Sequence, residues 1–142
     1  MIDLTALDSL EAWIRSLLEN ISVIEQIFDY HAIADHIPMT RVAVCFWVEN
    51  TSFHEGVFDG GYLLRHMVEF MIVVRDGDKS EIRSVANEIL RQFETNENSD
   101  ITSWAPLSFR IEDVFIEDKR QLIGHLTLSI DQHLPMLVYH QA

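Results

Sequence analysis

The stretch YLLRHMVEFMIVVRDGDKSEIRSVANEILRQFE, residues 62–94, contains the change of pattern that decides the fold. From Tyr62 to Val74 the apolar residues recur at every second position, which is typical of a β-strand. The turn residues Asp76-Gly77-Asp78 follow, and after them the apolar period becomes that of a helix. The sequence therefore predicts a long strand that leads directly into a helix.

Two amphipathic helices are predicted, from Asp8 to Ile21 and from Lys79 to about Glu94. Asp78 is in position to cap the second helix, and Asp8 with Glu11 has the spacing of a capping box in the first. Each apolar stripe occupies one side only, so each helix should lie on a sheet and not inside a bundle. The stripe residues are Leu10, Trp13, Ile14, Leu17, Leu18 and Ile21, then Ile82, Val85, Ala86, Ile89, Leu90 and Phe93.

Four further strands are predicted, at Val23 to Phe28, Arg41 to Glu49, Leu107 to Ile116 and Leu122 to Ile130. The second of them is apolar on both faces and should be buried on both, by helices or by a neighbouring subunit. The last shows the alternation of a half-exposed strand. Together the elements predict an α+β fold, a mostly antiparallel sheet with two helices packed on one face.

The chain has 142 residues and 48% apolar content, which is enough for one domain with a sizeable core. We expect a single domain over residues 1–142, with its core at about 8–131 and an apolar C-terminal tail at 132–142. The first residues lack the basic segment of a signal peptide. The longest apolar stretches are too short to span a bilayer, so no membrane partner is expected.

The net charge of −13 comes from 23 acidic residues against 10 basic ones. Nucleic-acid binding depends on clustered Lys and Arg, so sequence-specific nucleic-acid binding is not expected. The acidity is explained by solubility alone, or by a surface that must not adhere to DNA. The one cysteine, Cys45, lies in the middle of a strand and is interpreted as a small buried apolar residue.

No catalytic or metal-binding signature is present in the sequence. The best histidine cluster is His31 and His36 with Asp29 and Asp35, but its five-residue spacing is not a recognised ligand pattern. His66 and His125 lie on predicted strands and are interpreted as hydrogen-bonded sheet residues. We therefore expect no catalytic centre, no required metal and no cofactor.

Two apolar segments are candidates for protein–protein contacts. The predicted loop Asn50 to Gly61 is longer than a hairpin needs, and the tail after Pro135 is apolar although Pro135 separates it from the last strand. Each segment contacts either a partner or the domain's own core. The candidate residues are Phe53, His54, Val57 and Phe58 in the loop, and Leu134, Met136, Leu137 and Tyr139 in the tail.

The order of these elements resembles that of the tail terminator proteins of long-tailed phages, the lambda-like minor tail family. The resemblance covers about residues 8 to 131, from an amphipathic helix through a short strand, two long strands and a helix to a closing hairpin. It is a pattern without an invariant motif. The segments that carry it are Leu10 to Ile21, Phe28-Asp29, Pro38-Met39-Thr40-Arg41-Val42-Ala43-Val44 and Val68 to Val74.

The resemblance implies a phage or prophage tail terminator. Such a protein forms a hexameric ring on the end of the tail tube, stops polymerisation of the tube protein and offers a surface to the head connector. Its partners would be copies of itself, the tail tube protein and the head connector. It would be found in the virion tail after assembly in the host cytoplasm, and an acidic ring lumen would keep passing DNA from adhering.

Two alternatives remain open from the sequence. A head–tail connector or neck assembly protein shares the pattern of helices on a sheet. A small α+β ligand-binding or enzymatic domain would place His31, Asp35 and His36 near a pocket. Bound metal would favour the latter, and binding to filled heads would favour the former.

Overall fold

The computed structural model describes residues 4–28, 40–55, 61–116 and 118–134. Its helices and strands follow the predicted order. They are α1 (Ala6–Glu19), β1 (Gln26–Ile27), β2 (Val42–Glu55), β3 (Tyr62–Val74), α2 (Lys79–Thr95), β4 (Ile101–Ile116) and β5 (Lys119–Leu134). None of the helices described is long and apolar enough to cross a membrane.

The five strands form one sheet in the order β1-β2-β3-β5-β4. The short β1 pairs with β2 in parallel, and the three remaining pairs are antiparallel. Both helices pack against the same face of this sheet, which we call the helix face. The predicted α+β fold, with two helices on one face of a mostly antiparallel sheet, is confirmed.

The main core lies between the helices and the helix face, where Phe70, Ile72 and Leu128 are fully buried. The helix α2 approaches the sheet closely at Gly124 of β5. A Cβ atom at Gly124 would lie closer than 3.0 Å to Ile82 Cγ2 of α2, a separation that real Cβ atoms essentially never show. The absence of a side chain at Gly124 therefore makes room for α2 on the sheet.

A smaller apolar cluster lies on the opposite face. It includes Phe28, Ala43, Cys45, Met71 and Val73. Ala43 and Cys45 are fully inaccessible to solvent, so β2 is buried on both faces there, as its sequence predicted. This burial exists in the isolated chain and requires no neighbouring subunit. Cys45 is indeed a small buried residue.

The two predicted helix caps have opposite outcomes. The Asp78 carboxylate accepts a 2.9 Å hydrogen bond from the Glu81 backbone N–H, so the predicted cap of α2 is confirmed. The capping box at Asp8 is wrong, because α1 begins earlier, at Ala6, and places Asp8 inside its first turn. Leu7 packs against the core, and this contact favours the earlier start. The helix also ends earlier than predicted, at Glu19 instead of Ile21.

Three strands extend beyond their predicted ends. Residues 50–55, predicted as loop, continue β2 and pair with Tyr62–Met67 after a bulge at Glu49. The strand β4 begins at Ile101 instead of Leu107, and β5 ends at Leu134 instead of Ile130. Partner strands supply backbone hydrogen bonds that a residue pattern does not show. The strand β5 therefore continues three residues past residue 131, the predicted end of the core.

The strand β5, predicted to be half-exposed, is mostly buried in the structure. β5 lies between β3 and β4, and Ile123, Thr127 and Asp131 on its second face are buried. The half-exposed interpretation of β5 is therefore wrong. The exposed member of the pair is β4, which lies at the edge of the sheet.

A chain of buried polar groups ties the sheet to α1. The Thr51 hydroxyl lies 2.9 Å from His66 Nδ1, and His66 Nε2 lies 2.9 Å from the Gln132 side-chain oxygen. The Gln132 amide then donates to the Ala6 carbonyl at 3.2 Å. His66 is therefore hydrogen-bonded as expected, and burial lowers its pKa below 6.5. This chain joins β2, β3 and β5 to the start of α1.

Candidate interaction site at the open edges of the sheet

The strand β4 forms an open edge of the sheet. It pairs with β5 on one side, and no strand of the described part of the chain pairs with the other side. The edge extends for 16 residues, from Ile101 to Ile116. Such an edge presents unpaired backbone N–H and C=O groups, which can form hydrogen bonds with a strand of another protein molecule.

The side chains of β4 add apolar surface to this edge. Phe115 is 76% exposed, Leu107 53% and Phe109 38%. Phe109 lies next to Gly124 of β5, and its ring is therefore partly covered. A long apolar edge promotes association in solution, and proteins normally blunt or cover such an edge. The edge of β4 therefore has the properties of a contact surface.

Two features restrict where β4 can pair with a further strand. Pro106 has no backbone N–H, and the pairing register with β5 shifts between Pro106 and Ser108. A second shift lies between Ile101 and Ser103. The segment from Ser108 to Ile116 is free of both irregularities. We call Ser108–Ile116 the β4 edge segment.

Charged groups on the β4 edge segment are held by ion pairs. Arg110 donates a 3.0 Å hydrogen bond to Glu112, and this bond is the main reason that the pKa of Glu112 is lowered. Arg120 donates to Asp113 at 2.7 Å and lowers the pKa of Asp113 in the same way. Both carboxylates are thus ionised at neutral pH, on opposite faces of β4 as predicted.

His125 lies next to this segment and differs from the prediction. Its Nε2 atom is 2.8 Å from the Glu112 carboxylate, which is ion-pair distance. The angle does not satisfy hydrogen-bond geometry, so this buried nitrogen has no hydrogen-bond partner. Hydrogen bonds weaken steeply with misalignment, so this short contact stabilises the ring little. Burial lowers the pKa of His125, and the ring is therefore neutral at pH 7.

The opposite side of the sheet has a second open edge. The strand β1 pairs only with Ala43 and Val44 of β2. From Val48 to Glu55, β2 pairs with no outer strand among the residues that the structure describes. We call Val48–Glu55 the β2 edge segment. It contains Phe53, which is 49% exposed.

The two edge segments run in opposite directions. β3 is antiparallel to β2, β5 is antiparallel to β3, and β4 is antiparallel to β5. Two molecules placed side by side in the same orientation therefore bring β4 of one next to β2 of the other as antiparallel strands. Antiparallel pairing is the slightly more stable arrangement of a strand pair. The edges are thus compatible with a head-to-tail contact between copies.

The structure describes only some of the contact candidates predicted from sequence. Phe53 and His54 lie on the β2 edge segment and not in a loop, opposite Leu64 and Leu63 of β3. Leu134 is the last residue of β5, and it is partly buried. The remaining candidates lie outside the described residues; they are Val57, Phe58, Met136, Leu137 and Tyr139.

The histidine cluster is likewise outside the described part of the chain. This applies to His31 and His36 and to Asp29 and Asp35. Within the described ranges, no group of three or more His, Cys, Asp or Glu side chains is arranged to hold a metal ion.

The sequence interpretation did not identify Leu107, Phe109 and Phe115 as exposed residues of an edge strand. The signal that was available is Pro106, since a proline inside a strand pattern is typical of an edge strand. The predicted strand begins one residue after this proline and does not include it.

The chain matches no model of a known protein family and no curated protein.

Proposed function

We propose that this protein is a tail terminator of a phage or prophage. It forms a ring on the end of the tail tube, stops polymerisation of the tube protein and presents a surface for joining to the head. The observation that carries the proposal is the pair of open sheet edges, β4 on one side and the β2 edge segment on the other. Each molecule has one edge of each kind and can contact two neighbours.

The order of the elements supports the family resemblance. An amphipathic helix, a short strand, two long strands, a second helix and a closing hairpin follow one another along the chain. This is the order by which the sequence resembles the tail terminator family.

The contact between subunits is a β-strand junction. The β4 edge segment of one subunit pairs with the β2 edge segment of the next, which gives backbone hydrogen bonds across the junction. The two segments lie at opposite ends of the sheet, so neighbouring subunits are offset along the strand direction. The exposed rings of Phe109, Phe115 and Phe53 supply apolar area, which stabilises contacts by about 25 cal/mol per Å² buried. A head-to-tail contact of this kind closes into a ring when the rotation per subunit divides a full turn.

The strong negative charge is compatible with this role. Subunits with a net charge of −13 repel one another, so specific contacts are needed to hold the ring together. The same charge repels the phosphates of DNA that passes through the lumen. The ring is therefore a passage to which DNA does not adhere.

The proposal is tested by electron microscopy of the protein mixed with tail tubes of the same phage. Tubes should carry a ring at one end and stop growing. The variant Phe115→Asp places a charge in the strand junction and should abolish the rings. The matched control is Leu4→Asp, which adds the same charge at an exposed apolar residue before α1, outside both edge segments.

Three outcomes would contradict the proposal. One is that tubes stay uncapped and elongate at the normal rate in the presence of the wild-type protein. Another is equal capping of tubes by the two aspartate variants, which would show that the β4 edge is not the junction. Rings that bind filled heads and ignore tubes would identify a neck component instead.

A further inference from the structure

A groove lined by aromatic rings lies where α1, α2 and the start of β4 meet. Phe93 of α2 is buried at its centre, with Trp13 of α1 and Trp104 of β4 on either side. The Trp13 and Phe93 rings are 5.4 Å apart between centroids, and the Phe93 and Trp104 rings are 5.5 Å apart. The groove has a volume of about 540 Å³. We call it the aromatic groove.

The charged side chains that line the aromatic groove are all negative. Its lining contains Glu94 and Glu97 but no Lys, Arg or His. Glu94 lies in the last turn of α2 and Glu97 just beyond it, at the negative end of the helix dipole, and that turn contains no basic residue. Acidic side chains are unfavourable at this end of a helix. A cation bound in the groove would offset the unfavourable interaction between these carboxylates and the helix dipole.

Neutral groups of the chain satisfy the end of α2 without balancing its charge. The Asn96 backbone N–H and side-chain amide both donate to the Gln92 carbonyl, at 3.1 and 3.0 Å. The Thr95 hydroxyl donates to the Arg91 carbonyl at 2.9 Å. These bonds cap the carbonyl groups but contribute no positive charge. The negative potential at this end of α2 is therefore not neutralised by these bonds, and it attracts a positively charged ligand.

We propose that the aromatic groove binds an arginine side chain from a basic segment of a partner protein. A guanidinium group is planar and weakly hydrated, so it stacks on the faces of aromatic rings and still forms hydrogen bonds with carboxylates. The groove offers both kinds of contact, from Trp13 and Trp104 and from Glu94 and Glu97. This inference does not depend on the proposed tail function.

The partner is a different protein and not a second copy of this chain. The chain has 10 basic against 23 acidic residues, so two copies repel each other. Within the described part of the chain, five basic residues pair with acids of the same molecule; they are Arg41, Arg65, Arg91, Arg110 and Arg120. The groove also lies at Ile101–Trp104, before the β4 edge segment, so a copy paired with that segment leaves it accessible.

The test uses the synthetic peptide acetyl-Gly-Arg-Gly-Arg-Gly-amide, and the same peptide with neutral citrulline in place of arginine. Binding is followed by NMR through the indole N–H signals of the three tryptophans. The signals of Trp13 and Trp104 should shift with the arginine peptide, whereas that of Trp47, on the opposite face of the sheet, should not. The citrulline peptide should bind about tenfold more weakly or not measurably.

A pair of charge variants separates the groove from general attraction. Glu94→Gln with Glu97→Gln should weaken binding of the arginine peptide about tenfold. The control is Asp76→Asn with Asp118→Asn, which removes the same charge at two exposed turns that asparagine tolerates at positive φ. This control should leave binding within about twofold of wild type.

The inference is overturned by any of three results. One is the absence of binding by the arginine peptide at millimolar concentration and low salt. Another is equal binding of the citrulline peptide, which would remove the need for a cation. The third is an equal loss of affinity in both double variants, because that would show attraction by net charge alone.

Discussion

Gly124 of β5 lies directly beneath Ile82 of α2, and a Cβ atom at Gly124 would overlap Ile82 Cγ2. The Gly124→Ala variant should therefore be destabilised by about 1–3 kcal/mol, the usual cost of overpacking a core. Urea denaturation measures the change. Ser129→Ala, at a partly buried position on the opposite face of the same strand, is the control and should change stability by less than about 0.5 kcal/mol.

A double-mutant cycle shows whether the clash is the cause. Ile82→Ala alone removes a buried side chain and should cost about 2–5 kcal/mol. Combined with Gly124→Ala, the loss should be smaller than the sum, because the truncated residue 82 leaves room for the new methyl group. Strict additivity would show that the packing of α2 over Gly124 is not what Gly124→Ala disturbs.

The stability of the protein should fall as the pH drops below about 6.5. His66 is fully buried, and burial lowers its pKa in the folded state. Below 6.5 the unfolded chain therefore takes up a proton that the folded chain does not, and the folded state loses up to about 1.4 kcal/mol per pH unit until the folded pKa is reached. Chemical denaturation between pH 8 and pH 5 measures this slope.

Replacement of the histidine isolates its contribution. His66→Gln does not titrate in this range, so the slope below pH 6.5 should become shallower. Burial also lowers the pKa of His125, so a part of the slope should remain in this variant. An unchanged slope in His66→Gln would mean that the folded and unfolded states bind a proton at residue 66 equally well.

A second acid-dependent loss of stability should come from Asp131. Its carboxylate accepts hydrogen bonds from Arg65 Nε at 2.9 Å and from the Ser103 hydroxyl at 2.9 Å. The bond from Arg65 is the main cause of its lowered pKa. This stabilisation is complete above the unfolded pKa of about 3.9 and is lost as the pH falls through the folded value.

The variant Arg65→Gln tests this ion pair. Acid unfolding below pH 4 should begin at a higher pH in the variant, because Asp131 then takes up its proton more easily. Arg91→Gln removes the exposed pair with Glu88 on α2 and serves as the control. If both variants shift the acid transition equally, the Asp131 pair is no stronger than a surface pair.

Association through β4 should be separable from stability. Phe115 is 76% exposed, so Phe115→Asp should change the free energy of unfolding by no more than about 0.5 kcal/mol while it weakens self-association. Phe53→Ala on the β2 edge should behave in the same way. Analytical ultracentrifugation and urea denaturation measure the two quantities.

The control for this experiment is a truncation in the core. Phe70 is fully buried, and Phe70→Ala should cost about 3–5 kcal/mol. If Phe53→Ala is as unstable as Phe70→Ala, Phe53 belongs to the fold and the contact interpretation fails for that residue. If Phe115→Asp associates like wild type, the β4 edge segment is not the junction.

Local chemistry made several elements predictable from sequence. The bounds of β3, Tyr62 to Val74, were predicted correctly, because a period of two ends there at a turn sequence. The cap of α2 at Asp78 was also predicted, since a carboxylate before a helix reaches the backbone N–H groups of its first turn. Cys45 was expected to be buried from its place in a strand with two apolar faces.

Other boundaries depend on groups that are distant in the sequence. Residues 50–55 are polar enough to predict a loop, yet β3 pairs with them through the backbone, whose hydrogen bonds do not depend on side-chain identity. The start of α1 at Ala6 likewise involves the contact of Leu7 with the core. Such positions cannot be predicted from a local pattern.

The sequence by itself determined the helix and strand periods, the element order and the residues that share a face, because these follow from the local geometry of the backbone. Only the tertiary structure decided that β5 is central and β4 is the edge. That choice left Phe109 and Phe115 exposed and placed Trp104 beside Phe93. Strand order is set by pairing between segments far apart in the chain, so the candidate interaction site became visible only in the folded sheet.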